Sequence, residues 1–276
     1  MNLPIRIILL FLLLLCSEAP SAVAEERPVR VGISGHIPPL VLSDREGGLM
    51  VEMIRLAFDA AGHATQILSM TSKRQIPAFE VGMIDVVTGV NPDTQLAAAL
   101  SHWPVITMRN QAISLRQRNL PIHSVADLGQ YRIVAFLNAK HHIGGEFAAM
   151  AEGNANYSES LDVPATMLAA GRIDVLISQA DIFLYNLRAN KAHGLDGADF
   201  EFHDLLGPGV SYWFAFRTPE LRDHFEQGVA AIYADGRANR MIEEYHQRFG
   251  TSRDLFLSLD CRFLEANKPR DCPSGP

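Results

Sequence analysis

Two groups of polar side chains, each placed just after the same short motif, are the best candidates for chemistry in this chain. The motif is Gly82-Met-Ile-Asp-Val86, and it recurs 89 residues on as Gly171-Arg-Ile-Asp-Val175. Asn91, Asp93 and Thr94 follow the first copy, and Ser178, Gln179 and Asp181 follow the second. Amides and hydroxyls of this kind suit a small polar solute, because a wrong solute leaves buried donors unpaired. Asp93 and Asp181 open a second possibility, since a carboxylic acid in a cleft can donate a proton. Asn138, Lys140 and His141 lie in the turn that leads into a candidate helix from Ile143 to Ala151; the backbone N–H groups of a helix start favour an anion, and a cation there would strengthen the effect. The 10 histidines raise the question of a metal, with His36 and the His141-His142 pair able to face one another. Adjacent histidines project in different directions, however, and no H-x-x-x-H or H-x-H spacing joins them to a carboxylate, so no metal is expected. No nucleophile elbow, P-loop, dinucleotide fingerprint or catalytic Cys–His pair occurs, and no cofactor is expected.

These residues need elements to position them. Each motif copy follows a helix-like segment, Ile76-Pro-Ala-Phe79 or Ala165-Thr-Met-Leu168, and runs into a β-branched stretch. The glycine suits the left-handed position that ends a helix, and Ile-Asp-Val starts a buried strand of a parallel sheet. Ligands of open sheets bind beyond the carboxyl ends of such strands. Two copies therefore imply two similar α/β lobes whose strand ends face a cleft. A helix–glycine–strand junction is common enough to recur by chance, so the rest of the chain must support the repeat. Val29 to Ser34 reads as the first strand, halted by Gly35 and Pro38-Pro39, and Leu49 to Ala61 as a helix ended by Gly62. Tyr131 to Leu137 restarts the pattern. Gln111 to Arg116 and Val210 to Arg217 read as strands that cross between the lobes, with Trp213 as hinge or core packing.

Bulk properties narrow the class. Arg6, the apolar run Ile7 to Leu15 and Ala22-Val23-Ala24 form a cleavable signal peptide over residues 1–24, which places the mature chain outside the cytoplasm. Of the three cysteines, Cys261 and Cys272 survive cleavage and are expected to pair in an oxidising compartment. A formal charge of −7, without a dense Lys/Arg run, argues against nucleic acid.

In order and spacing, Ile37-Pro-Pro-Leu40, Ile76-Pro-Ala-Phe79, the two Gly-x-Ile-Asp-Val units, Ser101-x-x-Pro104, Val125-Ala-Asp-Leu-Gly129 and Tyr233-Ala-Asp-Gly236 resemble the family 3 extracellular solute-binding proteins, the polar amino-acid receptors of bacterial ABC importers. The resemblance implies a type II periplasmic-binding fold, with two α/β lobes, a two-strand hinge and closure on a ligand. It also implies a monomeric periplasmic receptor with a membrane permease as partner and no catalysis. Residues 25–110 with 212–250 would form lobe 1, 111–211 lobe 2, and 251–276 a disulfide-closed tail.

The chain departs from the family pattern at the ligand. Amino-acid binders usually carry a Thr-x-x-Arg segment after the first unit, whose guanidinium grips the carboxylate. Here Thr94 is followed by Gln95, Leu96 and Ala97. The acid usual after the second unit is Gln179, with Asp181 two residues on, and the usual aromatic platforms appear as Ile37 and Ser72. The candidate ligand residues are therefore His36, Ser72, Asn91, Thr94, Asn138, Lys140, His141, Gln179 and Asp181. Asn138, Lys140 and His141 would replace the lost arginine, and the solute would be small and polar or anionic rather than a standard α-amino acid. The alternatives are a secreted enzyme resembling the cyclohexadienyl dehydratases of the same fold, and a ligand sensor without a transport role.

Overall fold

The computed structural model describes residues 27–35, 37–42, 47–160, 165–189, 194–207, 209–253 and 255–263. Their β-prone runs form two sheets. The first contains β1 (Val29–Ser34), β2 (Thr65–Met70), β3 (Val86–Val90), β4 (Ala99–Leu100), β5 (Ile106–Met108) and β11 (Val210–Phe216). Its order is β2-β1-β3-β11-β4, with β5 also on β11. The second holds β6 (Asn110–Leu115), β7 (Ile133–Phe136), β8 (Tyr157–Ser160), β9 (Val175–Gln179) and β10 (Phe200–His203), in the order β10-β6-β9-β7-β8. In each sheet the strand that follows the Gly-x-Ile-Asp motif pairs in parallel with an earlier strand, β3 with β1 and β9 with β7.

Helices α1 (Leu49–Ala60) and α2 (Ser72–Glu80) belong to the first half, and α3 (Ala139–Ile143), α4 (Gly145–Gly153), α5 (Ala165–Ala169) and α6 (Ala180–Ala189) to the second. The chain then returns to the first half through α7 (Pro219–Ala234), α8 (Arg237–Phe249) and α9 (Leu257–Phe263). Apolar residues three and four apart bury one face of α1, and Leu49, Met53, Ile54 and Phe58 have no exposed surface. Each contributes roughly 1.5–3 kcal/mol relative to exposure. Helix α7 crosses α1 so closely that a Cβ on Gly228 would lie 1.8 Å from the Ala57 carbonyl oxygen. Leu255, Phe256 and Leu259 are buried in this same core, so the described part of the C-terminal segment packs rather than trails. Cys261 on α9 is disulfide-bonded; Cys272, its expected partner, and the signal segment lie outside the described residues.

The repeated aspartate does the same work in both halves. Asp85 accepts hydrogen bonds from the Arg30 backbone N–H at 3.0 Å and from its guanidinium at 2.9 and 2.8 Å, with Arg27 adding a fourth contact at 3.1 Å. Asp174 accepts the same three from Arg132 at 2.9 Å each, with Arg118 as the additional cation. Both glycines ahead of them adopt left-handed φ, 76° at Gly82 and 67° at Gly171. Burial pushes the Asp85 carboxyl up, but the Arg30 hydrogen bonds and charge outweigh it and hold the group below the ordinary range. For Asp174 the Arg132 hydrogen bond is the largest influence, and it holds the carboxyl well below that range against burial.

Two links join the halves. The first is the hinge, where Arg109 alone separates β5 from β6 and where Val210 pairs with Met108 and Ser211 with Thr107. The second is a clasp between α6 and the end of α8 with the residues that follow it. The Asp181 carboxylate accepts from the backbone N–H of Ser252, and from its hydroxyl at 3.1 Å. The Tyr185 and Phe249 rings pack 5.0 Å apart, and the Arg188 guanidinium donates to the Gln247 carbonyl at 3.2 Å.

Two expectations follow from these contacts. A depressed aspartate stabilises the fold fully above its unfolded pKa of about 3.9, and that contribution is lost as pH falls from there through the folded value. Melting temperatures measured from pH 6 to pH 2 should therefore fall less steeply in the Asp85→Asn/Asp174→Asn double variant than in the parent; parallel curves would refute the clamp. At pH 7 each single variant should lose about 2–3 kcal/mol in urea, less than a fully buried pair because the guanidinium groups are part-exposed. Asp181→Ala should cost about 1–3 kcal/mol by leaving the Ser252 N–H unpaired, and the Ser252 amide should exchange faster with deuterium. An unchanged amide and unchanged stability would sink the clasp.

Candidate functional site

A cavity of about 630 Å³ lies between the halves where the parallel strands end. This is within the range of small-molecule sites. Ile37 and Pro38 follow β1, Phe136 and Leu137 end β7, and Ser178 and Gln179 end β9. The hinge contributes Met108, Asn110, Val210 and Tyr212, while His142, Ile182 and Asn186 come from α3 and α6. Apolar and aromatic side chains (Ile37, Phe136, Leu137, Ile182) thus share the walls with polar groups, which are amides, a hydroxyl, an imidazole and a phenol. Burial pushes the Tyr212 phenol above its usual pKa, so it remains a neutral donor and acceptor at neutral pH.

Of the residues the sequence puts forward, this cavity includes Gln179. Its amide is already engaged, since the carbonyl oxygen accepts from Ile182 N–H at 2.9 Å and caps α6, while its NH2 donates to Asp181. Asp181, 2% exposed, faces a separate cavity of about 210 Å³, which Thr107, Arg109, Gln111 and Ser252 also line and which shares Gln179 with the first. The acid two residues past Gln179 is thus tied to the chain's own Ser252. Asn91 and Thr94 bond one another: the Thr94 hydroxyl lies 3.0 Å from the Asn91 Oδ1 and accepts the Asn91 N–H at 3.3 Å. They close their own turn, as such residues often do, and neither lines the cavity. Ser72 is an exposed first residue of α2, also outside the lining, and His36 lies outside the described residues.

The helix start at Asn138 to His141 already has an anion, and the chain supplies it. The Asn138 and Lys140 backbone N–H groups donate to the two Glu159 oxygens at 2.8 and 3.0 Å, and the Tyr157 hydroxyl donates at 2.7 Å. Burial raises the Glu159 carboxyl, but these donors outweigh it and keep it ionised to lower pH than usual. The Lys140 ammonium lies 6.0 Å from the centre of the Tyr157 ring. His142 beside the Phe136 ring lines the cavity, whereas its neighbour His141 does not. Sequence reasoning missed Phe136, Leu137 and Tyr212, and weighed His142 only with His141 as a metal candidate; the signal of the missed residues was position, at strand ends and hinge, rather than residue type.

His102, Asp223 and Glu226 are the one trio of possible metal ligands close together among the described residues. The chain's own bonds account for it, because the Glu226 oxygens accept from His102 N–H and lie against its Nδ1, both at 2.7 Å, and Arg222 holds Asp223.

Comparison with known proteins identifies the architecture. No curated protein sequence matches the chain. Among solved structures, a probable amino-acid ABC transporter extracellular-binding protein from Bacillus subtilis superposes with a TM-score of 0.62 at 16% identity, covering 81% of this chain and 99% of its own. A polar amino-acid ABC uptake transporter substrate-binding protein from Streptococcus thermophilus gives 0.61 at 16% identity, covering 87% and 91%. A histidine kinase sensor domain with similarity to periplasmic binding proteins gives 0.58 at 19% identity, covering 79% and 96%. These likenesses establish the type II periplasmic-binding fold. The family model for bacterial extracellular solute-binding proteins, family 3, matches residues 29–248, and the chain belongs to that family.

Proposed function

We propose that this protein captures a small solute between its two lobes in the periplasm and presents the closed form to the membrane permease of an ABC importer. The observation that carries the reading is the cavity of about 630 Å³ at the carboxyl ends of the strands, walled by both halves and by the hinge. A solute held there touches both lobes and so favours the closed arrangement by its differential contacts.

The solute is not a standard α-amino acid. That reading is supported by the missing Thr-x-x-Arg segment and by Asp181, whose carboxylate is bound to Ser252 rather than lining the cavity. Binding is favoured over dehydratase-type catalysis, because the two carboxyls considered as proton donors are elsewhere: Asp93 is exposed and Asp181 is buried in the clasp. The histidine kinase sensor domain shares the fold, so a sensing role uses the same capture step with a different membrane partner.

The mature chain from Glu25 is expected to show solute-dependent thermal stabilisation without product formation in a screen of amino acids, polyamines, dicarboxylates and aromatic acids. At a hundredfold excess over Kd, stabilisation amounts to about 2.7 kcal/mol. X-ray scattering with the best solute should show compaction. Turnover detected by NMR, or stabilisation by ordinary L-amino acids alone, contradicts the proposal.

A further inference from the structure

The cavity walls say more about the solute than its size does. Leu137, at the end of β7, is 43% exposed, one of three large hydrophobic side chains so exposed among the described residues. It lies in the cavity with Phe136 and Ile182 on one side and Ile37, Met108 and Tyr212 on the other. Apolar surface of this kind gains free energy in proportion to the area that a bound molecule removes from water. The same surface offers nothing to a hydrated charge.

The polar partners point the same way. Asn110, Ser178, Gln179 and Asn186 are neutral groups that donate and accept, and the His142 imidazole is the one side chain of the lining that can carry a positive charge. An ionised solute group enclosed here needs an opposite charge or several aimed hydrogen bonds, since an unpaired buried charge is costly. The carboxylates nearest in sequence to the strand ends are both spoken for: Glu159 by the N–H groups of Asn138 and Lys140, and Asp181 by Ser252. Arg109 lines the smaller cavity.

We infer that the cleft takes an uncharged solute with an apolar body, a ring or branched hydrocarbon, and with amide- or hydroxyl-like polar groups. The inference rests on the cleft being the capture site. Four forms of one molecule separate charge from shape: N-acetyl-L-phenylalaninamide is neutral, N-acetyl-L-phenylalanine anionic, L-phenylalaninamide cationic and L-phenylalanine zwitterionic at pH 7. Calorimetric titration of the mature chain should give a Kd at least tenfold lower for the neutral form than for any charged one. Leu137→Asp should remove that preference while leaving the melting temperature of the free protein unchanged, as expected for a half-exposed side chain.

A charged form that binds as tightly as the neutral one, or no binding by any of the four, overturns the inference. Scattering then distinguishes the two failures. Compaction with a charged form, or with another solute from the broader screen, leaves capture standing and removes only the ligand class. No compaction with any solute removes both.

Discussion

A buried aspartate at the amino end of one strand, gripped by the arginine of its neighbour, fixes the polarity of each sheet. Asp85 also donates its backbone N–H to the Arg30 carbonyl at 2.7 Å, and Asp174 does the same to Arg132 at 2.9 Å. Side chain and backbone together lock β3 against β1 and β9 against β7, starting both ladders in register. Placing the ionised groups at this end leaves the opposite ends free of them. The strands can then terminate in Phe136, Leu137, Ser178 and Gln179, and the cleft between them can mix apolar surface with neutral polar groups. The repeat that marks the two lobes is thus a scaffold device, working at the end of the sheet remote from the cavity.

The same economy of charge governs the second lobe. A helix start such as Asn138 to Lys140 attracts an anion, and a buried carboxylate such as Asp181 needs donors. In a receptor for a charged solute either could serve the ligand. Here Glu159 and Ser252 satisfy them from within the chain. Each internal pairing removes a contact for an ionised ligand and adds rigidity to the wall beside the cavity.

Much of the architecture was legible in the sequence because its signals are local. Glycines at the left-handed helix ends, β-branched runs and the amphipathic faces of α1 and α7 gave two α/β halves with crossing strands. The short strands β4, β5, β8 and β10 lacked such signals, since two to four residues cannot display a period. The site was harder to read for a physical reason. A polar residue after a strand can bind a ligand, cap a helix or close a turn, and residue type does not distinguish these. Gln179 caps α6, and Asn91 and Thr94 close their loop. The apolar lining carries no type signature, because Phe136 and Tyr212 read as core residues until the two halves are placed together.

Gln179 is where the cavity and the clasp meet, because it lines both cavities and donates to Asp181, which in turn holds Ser252. Any solute that displaces the Gln179 side chain must break either its cap on α6 or its bond to Asp181. The cap supports the helix that also supplies Ile182 and Asn186 to the wall, so its loss would disturb the site itself. The Asp181 bond is the alternative, and it leads directly to the segment that fastens α6 to α8. Lobe movement at the hinge must also accommodate these contacts, since the β5–β11 pairing and the clasp constrain the same two halves at different points. Contact with Gln179 is therefore the most direct physical route by which a solute in the cleft can alter the joining of the lobes.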